Sequence, residues 1–196
     1  MRRRASSAAG SEFSTGDMLT VLRGVAYQAR VEGGSAVRPR QEMERRFREE
    51  LRRDDGLAYP AADAARVASA VLSQAEDEYG LLVPHGVGMV GFLHRVLLDQ
   101  LAGEHLATLS PEAQESTLTV RAGDPTWRDV LIAGLATQVN AHVNASLLTR
   151  LCEHPEVDSV DKYELIADAI AADVAITTPK QLQWVTEIIE RVNEHA

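Results

Sequence analysis

The chain has 196 residues and a formal net charge of −9, and its composition is 45% hydrophobic but only 5% aromatic. This length allows one domain or two small ones, with a core built mostly from aliphatic side chains. The acidic balance argues against general affinity for nucleic acid phosphates, and no apolar run is long and uncharged enough for a membrane span.

The amino-terminal segment and the single cysteine both bear on where the protein is found. The segment MRRRASSAAGSEF lacks the apolar region of a secretory signal, and we interpret residues 1–16 as a disordered lead-in. Cys152 has no second cysteine with which to form an internal disulfide, which fits a reducing cytosol. We therefore expect a cytoplasmic chain with no membrane partner.

Three amphipathic helices are predicted in the first part of the chain. The first begins at Ser14, which with Asp17 resembles a capping box. A second spans about Pro39 to Asp54 and a third about Pro60 to Tyr79, each opened by a proline suited to a first turn. The residues expected to face the core share helical spacing: Leu19, Leu22, Ala26, Ala29, Val67, Val71 and Ala75.

The next segment, LLVPHGVGMVGFLH, changes character. Short apolar runs flank Pro84, Gly86 and Gly88, as in a β-hairpin. Three helices followed by a hairpin is the order of a winged-helix domain, which we predict for residues 17–109. The fourth helix, about Arg95 to Leu109, is apolar over a wide arc, so we expect it to be buried on more than one side.

After Ser110 the chain consists of predicted helices separated by short loops, which are typical of antiparallel helix pairs and α-solenoid units. The helices are PEAQESTLTV, DPTWRDVLIAGLATQVN, NASLLTRLCE, Asp161–Ala172 and Pro179–His195. The predicted fold class is therefore mainly α: a winged-helix domain with a small β-hairpin wing, followed by α-helical hairpins in a solenoid-like helical-repeat region over residues 110–196.

Motifs for catalysis are missing from the sequence. It contains neither a GxxxxGK[ST] phosphate loop nor GxGxxG, HExxH is absent, and the six histidines do not fall at metal-ligand spacings. We therefore expect no catalytic residue, no metal site and no enzymatic activity in this chain.

An arginine-rich segment, residues 38–53, carries seven arginines against four glutamates. The glutamates interleave with the arginines at helical spacing, which favours a solvated, salt-bridged helix face. A surface that binds phosphate or a partner is the alternative interpretation.

His94 lies where the hairpin is predicted to end and the fourth helix to begin. The unpaired N–H groups and aligned dipoles of a helix N-terminus present partial positive charge, which favours anions such as phosphate. A neutral imidazole there still offers one N–H donor. The residues alone leave two interpretations open: an anion contact, or a structural histidine bonded to a nearby backbone carbonyl.

The stretch YGLLVPHGVGMVGFLHRVLLDQLAGEHL resembles the end of the winged-helix domain in NACHT-type signal-transduction NTPases, the STAND class that includes animal NOD-like receptors and many bacterial defence proteins. Their pattern reads Gly-Leu-Leu, a variable wing, then Phe-x-His-x-Ser/Thr-Phe-Gln-Glu-Phe/Tyr-Leu-Ala-Ala. The matching residues are Gly80, Leu81, Leu82, Phe92, His94, Leu101 and Ala102, with Asp99 in the place of the glutamate. The departures are Val96, Leu98, Gln100 and Gly103.

Two further segments extend this resemblance along the chain. LRGVAYQAR is similar to the helix that opens the same domain, and DPTWRDVLIAGLA is similar to the segment in which the family's helical repeats begin. In such proteins the winged-helix histidine contacts the β-phosphate of ADP held by a separate nucleotide-binding domain, which keeps the resting state closed. The resemblance therefore implies that His94 is a nucleotide sensor, supported by Phe92, Asp99, Leu101 and Ala102.

The same resemblance implies the cofactors and partners. ADP or ATP would belong to the parent protein, and this chain alone would bind none. The implied partners are a nucleotide-binding domain, in the same or a companion chain, and a protein that contacts the C-terminal helices. The alternative function is a winged-helix DNA-binding regulator, although the wing VPHGVGM carries no Lys or Arg to contact phosphates.

Overall fold

A computed structural model of the chain describes residues 13–33, 36–54, 56–138, 140–154 and 159–172, with a few isolated positions beyond them. These residues form eight helices and three short strands. In chain order the elements are α1 (Thr15–Val31), β1 (Val37–Pro39), α2 (Arg40–Arg52), α3 (Ala61–Asp77), β2 (Leu82–Pro84), β3 (Met89–Phe92), α4 (Arg95–Leu106), α5 (Pro111–Arg121), α6 (Arg128–Thr137), α7 (Ala141–Glu153) and α8 (Ser159–Ala171). The predicted mainly helical class is confirmed. The helix predicted over Pro179–His195 lies outside the continuous described ranges.

The start of α1 shows the capping box that the sequence predicts. The Ser14 side chain accepts from the Asp17 N–H, and the Ser14 N–H donates to the Asp17 carboxylate, both at 3.1 Å. The helix therefore begins before residue 17, and Phe13 already packs against the core. Of the expected lead-in, residues 1–16, only residues 1–12 lie outside the residues that the structure describes. Leu19 is half-buried rather than inward, because the buried face of α1 is centred one position earlier, on Met18.

The three strands form an antiparallel sheet in the order β1–β3–β2. The predicted hairpin corresponds to β2 and β3, with Leu82 opposite Phe92. In its turn Gly86 and Gly88 have φ of 95° and 71°, a region that favours glycine because it has no Cβ. No sequence pattern predicts β1, because its three residues are too few to show an alternation. Pro39 ends this strand and is also the N-cap residue of α2, one position before the first turn.

Helix α4 lies at the centre of the molecule, packed against α1 on one side and α6 on the other. This arrangement explains its wide apolar arc, although the helix ends at Leu106 and not at Leu109. Its crossing with α6 is very close at Gly103. A Cβ at this glycine would lie 2.5 Å from the Ala133 Cβ and 2.6 Å from the Val130 carbonyl oxygen. No side chain larger than hydrogen fits there without moving α6.

The remaining helices pack in two rows. One row runs from α4 to α6 to α8, and the other pairs α5 with α7, while α7 also contacts α8. Polar side chains bind the backbone between and within these helices. The Gln114 amide of α5 donates to the Ala107 and Leu109 carbonyls of the α4–α5 loop at 3.3 and 2.7 Å. Asn144 donates to the Leu135 carbonyl at 2.8 Å. None of the helices within the described ranges combines the length and apolar character needed to cross a membrane.

Candidate functional site

His94 is the residue immediately before α4, and its ring is exposed. Its backbone is extended, with φ −140° and ψ 150°, while its carbonyl accepts the first helical hydrogen bond, from the Leu98 N–H at 3.2 Å. Its side chain forms no capping hydrogen bond. Within the described part of the chain the ring has no hydrogen-bond partner, so the bond to a backbone carbonyl that a structural histidine would form is not found there.

The exposure of His94 follows from the anchors on either side of it. Phe92, the last residue of β3, is buried, and the Leu93 N–H donates to the Leu81 carbonyl at 3.0 Å, which fixes the end of the hairpin. Leu101 and Ala102 are buried further along α4. The three motif residues Phe92, Leu101 and Ala102 therefore belong to the core, and the chain between them emerges at the surface.

Exposed apolar side chains lie on both sides of His94. Leu93 is 44% exposed and Val96 is 76% exposed, and both flank the exposed His94. Scattered exposed aliphatic residues are common on protein surfaces. Here, however, four consecutive residues, 93–96, are exposed at the start of the most deeply packed helix of the chain. The segment therefore exposes two apolar side chains, Leu93 and Val96, on either side of His94 and Arg95.

Asp99, the fourth motif residue, lies one turn further into α4 and is buried, with only 2% of its side chain exposed. Arg30 of α1 approaches it, with its Nε 3.2 Å from the Asp99 Oδ1. Arg95 approaches from the same helix, and its Nε donates to the Asp99 Oδ2 at 3.3 Å. The Asp99 carboxylate thus lies between the guanidinium of Arg30, which is mostly buried, and that of Arg95, which is largely exposed.

The ion pair inside this cluster is poorly hydrogen-bonded. The Arg30 Nε and Nη2 and the Asp99 Oδ1 are buried and have no hydrogen-bond partner among the described residues. Burial raises the pKa of the Asp99 carboxyl above its usual range, although Arg30 and Arg95 oppose this rise. The desolvation of the carboxylate therefore outweighs the attraction of its two partners.

Trp127, which directly precedes α6, completes the surroundings of Arg30. The guanidinium carbon of Arg30 lies 5.8 Å from the centre of the Trp127 ring, and that of Arg121 lies 4.9 Å away. The ring of Tyr27 meets the same indole edge-on at 6.0 Å. The first and sixth helices therefore meet around Trp127, next to Asp99. We call Arg30, Arg95, Asp99 and Trp127 the Asp99 cluster.

The arginine-rich segment forms α2 and its approach, and most of its arginines contact glutamates. The arginines in ion pairs are Arg38, Arg40, Arg45, Arg46 and Arg53. Hydrogen bonds from Arg46 lower the pKa of Glu32 and of Glu42. A cleft of about 290 Å³ between α1 and α2 is lined by the same paired charges. These contacts favour the salt-bridged helix face over a phosphate-binding surface.

Comparison with protein-family models, with curated proteins and with solved structures found no match for this chain. Among the described residues, no group of three or more His, Cys, Asp or Glu side chains is arranged to hold a metal ion.

Sequence reasoning did not identify three residues that define the site's geometry. No local pattern pairs Arg30 or Trp127 with Asp99, because these residues are distant from one another in the chain. Gly103 is a departure from the motif, yet it allows the close crossing of α4 and α6. A glycine inside an otherwise strong helix pattern was the available signal for such a crossing.

Proposed function

We propose that the chain is the regulatory module of a NACHT-like signal-transduction NTPase. Its winged helix presents His94 to a nucleotide phosphate held by another domain, and its helical arm, α5–α8, contacts a protein partner. The observation that carries the proposal is the exposed imidazole of the residue directly before α4, which forms no hydrogen bond to any residue that the structure describes. The proposed nucleotide-binding domain belongs to the same or a companion chain.

The chemistry of this position suits a phosphate. The N–H groups of the first turn of α4 have no acceptor within their own helix, and the His94 side chain does not cap them. The imidazole can add at least one N–H donor to these groups. Together they form a set of donors that matches the oxygen atoms of a phosphate. Exposed Leu93 and Val96 supply the apolar surface against which a domain carrying that phosphate would pack.

The arrangement of elements supports the fold that the proposal needs. Three helices precede the hairpin, and the short strand β1 between the first two helices pairs with the other edge of β3. This order supports a winged helix over α1 to β3. The two rows of alternating helices, α4–α6–α8 and α5–α7, support a solenoid-like arm.

The nucleic acid alternative receives less support from the same surfaces. The wing is free of Lys and Arg, and α3 carries one arginine, Arg66, against Asp63, Glu76 and Asp77. A helix with this charge balance offers little attraction to a phosphate backbone. We therefore retain the nucleotide-sensing module as the proposed function.

A cross-linking experiment tests the proposal directly. A photo-reactive amino acid replaces Val96, and the chain is expressed in its own cells before irradiation. We expect the cross-linked peptides to come from a nucleotide-binding domain that contains a GxxxxGK[ST] phosphate loop. Val120, which is similarly exposed at 72% on α5, is the matched control and should not reach this domain. Cross-links from Val96 only to proteins without a phosphate loop would contradict the proposal.

A further inference from the structure

We infer that Asp99 is a positioning residue, which fixes the start of α4 relative to both α1 and α6. The carboxylate lies between Arg30 of α1 and Arg95 of α4, and each of these arginines also contacts the residues just before α6. The importance of this position for nucleotide sensing rests on the proposed function of His94. The positioning itself is a property of this chain and is tested without nucleotide.

The burial of the Arg30–Asp99 pair argues for a role other than stabilisation. A buried ion pair pays a large desolvation cost, and apolar side chains of similar volume often stabilise a fold at least as well. The Asp99 pair is also short of hydrogen bonds, since the Arg30 Nε and Nη2 and the Asp99 Oδ1 have none among the described residues. Such a pair is better explained by a role in fixing the relative orientation of the helices that it joins.

Both arginines join Asp99 to the same place on the helical arm. Arg30 stacks against Trp127 at 5.8 Å while its Nε faces Asp99 at 3.2 Å. Arg95 donates to the Thr126 carbonyl at 3.4 Å and to Asp99 at 3.3 Å. The carboxylate is therefore the shared partner of two bridges that end at adjacent residues before α6.

His94 is adjacent in the chain to Arg95, which forms one of these two bridges. It precedes Arg95, and its carbonyl accepts the first hydrogen bond of α4, so the orientation of that first turn sets the direction of the imidazole. A change at Asp99 should therefore alter the start of α4 and the start of α6 together. Elements that do not contact the cluster, such as the pair of α2 and α3, should be unaffected.

A second ion pair between α1 and α4 provides a matched control. Arg23 and Glu104 lie 2.6 Å apart, and their side chains are 34% and 20% exposed. This pair joins the same two helices as Arg30 and Asp99, but it is more hydrated, and its hydrogen-bond partners among the described residues lie on α1 and α4. The variant Glu104→Gln therefore removes a charge of the same sign from the same helix without breaking a bridge to α6.

The test is hydrogen exchange measured by mass spectrometry on the full chain without nucleotide. We expect Asp99→Asn to speed exchange in residues 98–102 and 131–135 by about tenfold, because these are the first hydrogen-bonded amides of α4 and α6 and both helix starts should open more easily. Exchange in α2 and α3 should stay unchanged. Asp99→Glu, which keeps the charge, should restore slow exchange, and Glu104→Gln should match the native chain. Unchanged exchange in Asp99→Asn, a uniform rise over the whole chain, or no rescue by Asp99→Glu would overturn the inference.

A double variant keeps the test decisive if Asp99→Asn fails to fold. Arg30→Met with Asp99→Leu removes both buried charges together and should resist denaturant as well as the native chain. Exchange at the starts of α4 and α6 should nevertheless rise, because the bridges are gone. Native exchange rates in the folded double variant would overturn the inference. Neither result depends on a nucleotide, so failure here is distinct from failure of the cross-linking test of His94.

Discussion

His94 and Asp99 lie five residues apart at the start of α4 and have opposite environments. The imidazole is exposed and has no hydrogen-bond partner in the described part of the chain, whereas the carboxylate is buried between two guanidinium groups. A polar group directed at solvent is available to a ligand, and a buried charge holds its neighbours in place. The two residues therefore suit different tasks, contact for His94 and positioning for Asp99.

The raised pKa of Asp99 leads to a pH dependence of definite sign. Because the folded state holds the Asp99 proton more tightly than the unfolded state, the unfolding free energy should fall as pH rises from about 4, the ordinary value, through the raised folded value. Asp99→Asn has no proton to lose at this position, so its profile should lack this fall. The difference between the two chains should change by at most about 1.4 kcal/mol per pH unit.

Denaturant unfolding of the native chain and Asp99→Asn from pH 4 to pH 7 measures this difference. The native chain should lose stability relative to the variant as pH rises. A relative gain over the same range would contradict the account, because it would mean that Arg30 and Arg95 hold the carboxyl pKa below its usual range.

At the scale of elements, the structure depends on how closely α4 and α6 approach each other. Gly103 meets the backbone of α6, and Gly134 meets the Gly103 carbonyl oxygen, which would lie 3.2 Å from a Cβ on Gly134. Two facing glycines allow the helix backbones to come into direct contact. The helical arm is therefore attached through α4 rather than through the sheet.

We expect Gly103→Ala to destabilise the fold by about 1–3 kcal/mol, because the new methyl group would overlap α6 backbone atoms that cannot move independently. The matched control is Gly16→Ala in the first turn of α1, where the only close atom is the Ser14 Oγ at 3.5 Å. That change should stabilise by up to about 1 kcal/mol through helix propensity. Urea unfolding measures both, and equal effects of the two substitutions would refute the close-crossing explanation.

The elements also show what the sequence could predict. Ser14 with Asp17 marked the start of α1, and Gly86 and Gly88 marked the hairpin turn, because capping and turn chemistry depend on adjacent residues. The strand β1 was missed because its hydrogen bonds come from β3, far away in the chain. At the site, the exposure of His94 could be anticipated from its place before a helix. The pairing of Arg30 with Asp99 could not, since it arises from packing alone.

At the scale of the whole molecule, α4 connects the part that contains the sheet with the helical arm. It begins at His94, contacts α1 along its length and carries α6 on its opposite side. A domain that binds at residues 93–96 would therefore contact a helix that packs on both halves. In the proposed function, this position would transmit the state of a nucleotide bound beside His94 to the arm.

The most direct measurement is the amount of adenine nucleotide retained by the assembly that contains this chain, tagged at its own locus and purified from its own cells. Removing one hydrogen bond to a charged phosphate should weaken binding by about tenfold or more, so His94→Ala should retain far less ADP. His142→Ala, which changes an exposed histidine in the first turn of α7, should retain the native amount. Native ADP content and release rate in His94→Ala, or no adenine nucleotide in the native assembly, would contradict the account.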